Sequence, residues 1–114
     1  MIEDHNIKEK IKVSEFIKKI KNYCEENIES TDHTFFRLNQ KKRKIYTEKM
    51  LKTIVFNDIP LEVSIEKNGN YAVIYNFNEG KNKLKILLSL SSKKVYIVTF
   101  YILNKDQERL FKNE

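Results

Sequence analysis

The sequence predicts an α+β domain, with two to three N-terminal helices followed by a four-stranded antiparallel β-meander. Three observations lead there. Up to Asn57 the apolar residues recur at the i, i+3, i+4 spacing of amphipathic helices. After Pro60 the period changes to two, the alternation of half-buried strands. Short turn signals separate the alternating stretches, and strands joined by short loops lie side by side and antiparallel. Helices gathered in one half of a chain and strands in the other describe α+β rather than an alternating fold. A chain of 114 residues has room for one core. Its parts are a leading helix over about 7–29, a core over about 31–103 and a short tail over 104–114.

Each element has its own signal. From Ile7, apolar residues at 7, 11, 16, 17, 20, 23, 24 and 28 predict the leading helix. Ser14 followed by Glu15 offers a cap and a first-turn acid, so the helix begins at either Ile7 or Glu15. Ser30, Thr31 and Asp32 can cap a second helix over about 32–43, which would carry Phe35, Phe36 and Leu38. Thr47 and Glu48 cap a third, with Met50, Leu51, Ile54 and Val55 on its apolar side, stopped at Asn57-Asp58-Ile59-Pro60. Leu61, Val63 and Ile65 then alternate with polar residues up to the hairpin signal Asn68-Gly69. Tyr71, Val73, Tyr75 and Phe77 mark a second strand, and Leu84, Ile86, Leu88 and Leu90 a third. The stretch 95–103 is apolar or aromatic on both faces, so it belongs in the middle of the sheet or under cover on both sides.

Composition removes several classes of function. The only glycines are Gly69 and Gly80, whereas dinucleotide and P-loop motifs need closely spaced glycines to bring backbone N–H groups onto phosphate. Cys24 is the only cysteine and His5 and His33 the only histidines, so neither an internal disulfide nor a metal site is expected, and no cofactor is called for. No apolar run approaches the ~20 residues of a membrane-spanning helix. No secretory pattern opens the sequence. The expectation is a soluble, cytoplasmic domain with no membrane contact.

The net charge is +6, with 22 basic and 16 acidic side chains. Its location matters more than its size. Arg37, Lys41, Lys42, Arg43, Lys44, Lys49 and Lys52 fall within 33–52 against a single acid, Glu48, so this stretch holds the whole excess. A positive patch on an otherwise balanced domain suits a polyanion such as RNA. Lys41, Lys42, Arg43 and Lys44 are the candidate contacts to its backbone. A solvated lysine-rich helix face is the plainer reading.

His33-Thr34-Phe35-Phe36-Arg37 carries the available chemistry. On a helix, His33 and Arg37 would stand side by side. Imidazole takes and gives protons near neutral pH, and guanidinium is a permanently charged fork that fits phosphate. RNA cleavage without metal needs those two services, a base for the 2′-hydroxyl and charge stabilisation of the crowded phosphorane. Thr99 and Tyr101 are two residues apart on one strand and share a face, either as core or as polar groups of a site. Tyr71 and Tyr75 alternate similarly, and either could stack a base or pack in the core.

The order of short motifs adds a likeness. His33…Arg37, then Arg43-Lys44-Ile45-Tyr46-Thr47, Asn68-Gly69-Asn70-Tyr71-Ala72-Val73, Lys85-Ile86-Leu87-Leu88 and finally Ile97-Val98-Thr99-Phe100-Tyr101 resembles the barnase–EndoU–colicin–RelE group of small nuclease domains over residues 31–103. The resemblance implies a RelE- or barnase-like α+β fold and metal-independent endoribonuclease activity. It also implies a toxin or phage-associated role, with an antitoxin or immunity protein as a possible partner. By position, His33 and Arg37 match the helix pair of the group, and Thr99 and Tyr101 match the polar residues of its last strand. The expected roles are His33 as general acid or base, Arg37 as phosphate clamp, and Thr99 and Tyr101 as hydrogen-bond donors to the reacting group. A non-catalytic RNA-binding module, or a domain docking an acidic protein, is the alternative.

Overall fold

In the computed structural model the chain order is β1 (Ile7–Ile11), α1 (Val13–Ile20), a 3-10 turn (Glu25–Asn27), β2 (Ile28–Ser30), α2 (Glu48–Asn57), β3 (Glu62–Glu66), β4 (Tyr71–Phe77), β5 (Asn82–Leu90) and β6 (Val95–Ile102). The structure describes residues 7–35, 46–77 and 79–103. Its strands form one six-stranded sheet in the order β1-β3-β4-β5-β6-β2. Every pairing is antiparallel except that of β2 with β6.

This corrects the expected architecture of helices followed by a four-stranded antiparallel meander. The expected leading helix over 7–29 is a strand, a two-turn helix, a 3-10 turn and a second strand. A spacing of four, such as Ile7 to Ile11, fits a helix and an uninterrupted strand equally. Ile11 pairs with Val63, and a bulge after Ile7 sets Ile7 opposite Glu66. Ile28 is fully buried beside Val95, a place that suits a β-branched residue better than a helix end. The described part of the expected second helix is also not helical. Residues 32–35 make a turn in which Thr34 N–H donates to Thr31 O at 3.1 Å. The rest of that stretch, with the tail from 104 on, lies outside the described residues.

α2 forms where its cap and apolar spacing place it. The Thr47 side chain accepts from Met50 N–H at 3.2 Å, while Leu51, Ile54 and Val55 are buried. The helix stops as Asp58 turns extended ahead of Pro60. The β3–β4 hairpin turns through Lys67, Asn68 and Gly69. Gly69 supplies a φ of +91° and Asn70 N–H donates to the Asn68 side chain at 2.9 Å. That is the three-residue loop that needs glycine at its left-handed position.

Both described helices cover the same side of the sheet. Phe16 and Ile20 of α1 and the buried face of α2 join Val63, Val73, Tyr75, Ile86, Ile97 and Phe100 in one core. β1 and β2 lie at opposite edges, five inter-strand spacings apart, or roughly 24 Å. The chain between them, which includes α1, therefore runs across the width of the sheet.

Candidate functional site

The side of the sheet turned away from the helices is set by register. Thr99 lies opposite Leu87 and Tyr101 opposite Lys85, whereas Phe100 pairs with Ile86 on the core side. Thr99, Tyr101, Lys85 and Leu87 thus share the face that neither described helix covers, joined by Lys83 two residues before Lys85. Tyr101 is 41% exposed, which separates it from the core. Part of this face is buried, at Ser64, Glu66 and Ala72 near its β3–β4 side. Tyr71 and Tyr75 point the other way. Tyr71 packs its ring 6.0 Å from that of Phe16, and Tyr75 is fully buried, so the core takes both.

His33 is held at the flank of β6 by its neighbours. Beyond β2 the chain stays tied to one carbonyl, since Thr31 N–H and the Thr34 hydroxyl donate to Ile97 O at 3.3 and 2.6 Å. Thr34 is fully buried, and Phe35 meets Phe100 edge-on at 5.8 Å. Between these anchors His33 is exposed. The helix that would bring Arg37 beside His33 is absent at 32–35, and Arg37, Lys41, Lys42, Arg43 and Lys44 lie outside the described residues. The described residues on either side of that basic run meet at one ring, however. Phe35 and Tyr46 both pack on Phe100, at 5.8 and 5.5 Å, and Tyr46 also packs on Phe77. Lys49 and Lys52 belong to α2, in the helix layer.

Two polar contacts secure β2. The Glu48 carboxylate accepts from Ser30 N–H at 3.0 Å and from the Ser30 hydroxyl. These bonds hold its pKa below the ordinary carboxylate value, with a further contribution from the charge of Lys52. Lys94 pairs with Glu29 at 3.0 Å, and the bond to Glu29 raises the lysine pKa. Among the described residues no three His, Cys, Asp or Glu side chains gather as a metal site. No described helix is long and apolar enough to cross a membrane.

Lys83, Lys85 and Tyr96 of this face escaped sequence reasoning. The two lysines alternate with Leu84 and Ile86, a period-two signal that places them opposite the core. Tyr96 was hidden by a bulge. Leu87 pairs with Thr99 and Leu88 with Ile97, which leaves Val98 extra and reverses the alternation between the two halves of β6.

No curated protein and no solved structure matches the chain. A family model does, over residues 14–89, from α1 through nearly all of β5. The match takes in His33 and the basic run and stops short of Thr99 and Tyr101. Since it spans well over half of the sequence, the chain belongs to the MJ0788 family.

Proposed function

We propose that the chain is a cytoplasmic RNA-binding domain whose contact surface is the face of β5 and β6 that neither described helix covers. The observation that carries this reading is the grouping of Thr99, Tyr101, Lys83 and Lys85 on one face of the sheet. Lysines supply sequence-independent attraction to phosphates, and hydroxyls supply donors at short range. The concentration of excess positive charge in residues 33–52 supports the same partner.

Metal-independent cleavage of the bound strand is a second reading, favoured by the exposure of His33 at the flank of β6. In it, His33 takes the proton of a 2′-hydroxyl whose oxygen attacks the adjacent phosphorus, and Arg37 neutralises the phosphate under attack. The bond to the 5′-oxygen breaks as that oxygen takes a proton from water. Thr99 and Tyr101 donate to the oxygens that gain charge. The resemblance to the barnase–EndoU–colicin–RelE group supports these roles.

Incubating the purified chain with total RNA, with and without excess EDTA, tests both readings. Bound RNA at low salt is the expected result of the first. Fragments with 2′,3′-cyclic phosphate ends, formed equally in EDTA, are the expected result of the second. Cleavage that disappears on chelation and returns with Mg²⁺ refutes the roles given to His33 and Arg37. Failure to retain any RNA at low salt refutes the first reading itself.

A further inference from the structure

We infer that the RNA taken by this surface is single-stranded, with unpaired bases stacked on Tyr96 and Tyr101. The inference rests on the RNA-binding reading and adds the form of the substrate.

In an unbroken strand, residues five apart point to opposite sides of the sheet. The bulge at Val98 changes that. Tyr96 lies opposite Ser89 and Tyr101 opposite Lys85, and Ser89, Leu87 and Lys85 alternate down one face of β5. Both rings therefore stand on the side of the sheet opposite the core residues Ile86 and Phe100, with Thr99 and Leu87 between them. Four residues of β5 separate their partners, roughly 13 Å. That exceeds a stacked base step of about 3.4 Å along one strand, so the rings would take non-adjacent bases. Tyr101 is 41% exposed and Tyr96 partly so.

The chemistry of the surface then selects the strand form. In an A-form duplex the base faces are covered by their neighbours, and its deep major groove admits no side chains. A flat sheet carrying aromatic rings can use base faces only where the bases are unpaired, and each stacked base contributes without sequence preference. The charges fit a strand lying along β6. Lys83 and Lys85 stand at the Tyr101 end, and at the Tyr96 end Glu29 is paired with Lys94.

Fluorescence anisotropy on a labelled uridine dodecamer, alone and annealed to its adenosine complement, provides the test. The expected result is binding of the single strand at least about tenfold tighter than of the duplex. Tyr96→Leu and Tyr101→Leu should each weaken the single strand by about tenfold and the duplex by much less. Tyr96→Phe, which keeps the ring, should bind as the parent does, and Tyr101→Phe, which loses only a hydroxyl donor, should keep most of the affinity that Tyr101→Leu loses. Equal affinity for the two forms overturns the inference while leaving RNA binding intact. So does full single-strand affinity in a leucine variant that circular dichroism shows to be folded. Tyr101→Leu, at the more exposed ring, decides the matter if Tyr96→Leu does not fold. Absence of binding to both forms overturns the underlying reading as well.

Discussion

A hydroxyl sits inside the core: Tyr75 is fully buried and its phenolic oxygen has no hydrogen-bond partner among the described residues. An orphaned polar group of this kind costs about 1–3 kcal/mol, so Tyr75→Phe should raise stability in urea unfolding by about 1 kcal/mol. Loss of stability instead would reveal a bond to the hydroxyl. Burial, helped by the charge of Asp58, also pushes the Tyr75 pKa well above its ordinary value of 10.0. The unfolded chain gives up this proton near pH 10 and the folded chain keeps it. Stability therefore falls as pH rises past that point, and the phenylalanine variant should lack this part of the alkaline slope. His33 presents the opposite case. It is exposed on a turn that Thr34 and Phe35 anchor, so His33→Ala should abolish any cleavage with little change in melting temperature. Unimpaired cleavage in that variant removes His33 from the mechanism. At this scale the sequence was legible as to which residues alternate but silent on which side each alternation faces. Tyr75 and Tyr101 both read as aromatic strand residues, and only the register separates the core ring from the exposed one.

The Glu48–Ser30 contact joins two elements that are far apart in sequence, the start of α2 and the three-residue β2. Because the folded carboxylate has a lowered pKa, its contribution is present above the ordinary carboxylate value of 4.5 and fades as pH falls through the folded value. Glu48→Gln should lower the melting temperature at neutral pH and match the parent in strong acid. A constant difference across that range would mean that the charge plays no part. Gly69 offers a cleaner backbone test, since nothing lies within 4 Å of a Cβ added there. With φ at +91°, Gly69→Ala should cost about 1 kcal/mol through backbone strain alone, measured by chemical denaturation. α2 and the turn at Gly69 were legible because their signals are local, a cap, an apolar spacing and a left-handed glycine. β1 and β2 were not. Both are short, and both owe their form to partners distant in sequence, Val63 and Glu66 for one and Val95 and Ile97 for the other.

Electrostatics belongs to the whole molecule, because the basic run of the sequence and the lysines of β5 both add to its attraction for a polyanion. Neutralising Lys41, Lys42 and Lys44 together should weaken binding to all RNA sequences alike. The dependence of log affinity on log salt should flatten by up to about 0.7 for each phosphate that is no longer neutralised. Lys83→Gln with Lys85→Gln should flatten it further. An unchanged slope in both variants would identify the lysines as solvated surface. The candidate face itself was half legible: that Thr99 and Tyr101 share a face follows from their spacing, while Tyr96 needed a bulge that no local pattern announces.

The placement of β1 and β2 at opposite edges carries a kinetic consequence. The strands from β3 to β6 follow one another through short turns and can pair as soon as each is made. Ile28, by contrast, pairs with Val95, and that loop must close against chain entropy before any contact rewards it. The N-terminal segment should therefore settle last, laid over a sheet already assembled. Because β2 leads directly into the turn that holds His33, the flank of β6 would be the last part of the surface to acquire its final form. Docking of the N-terminal segment would thus complete both the core and the flank that carries His33 in one late step.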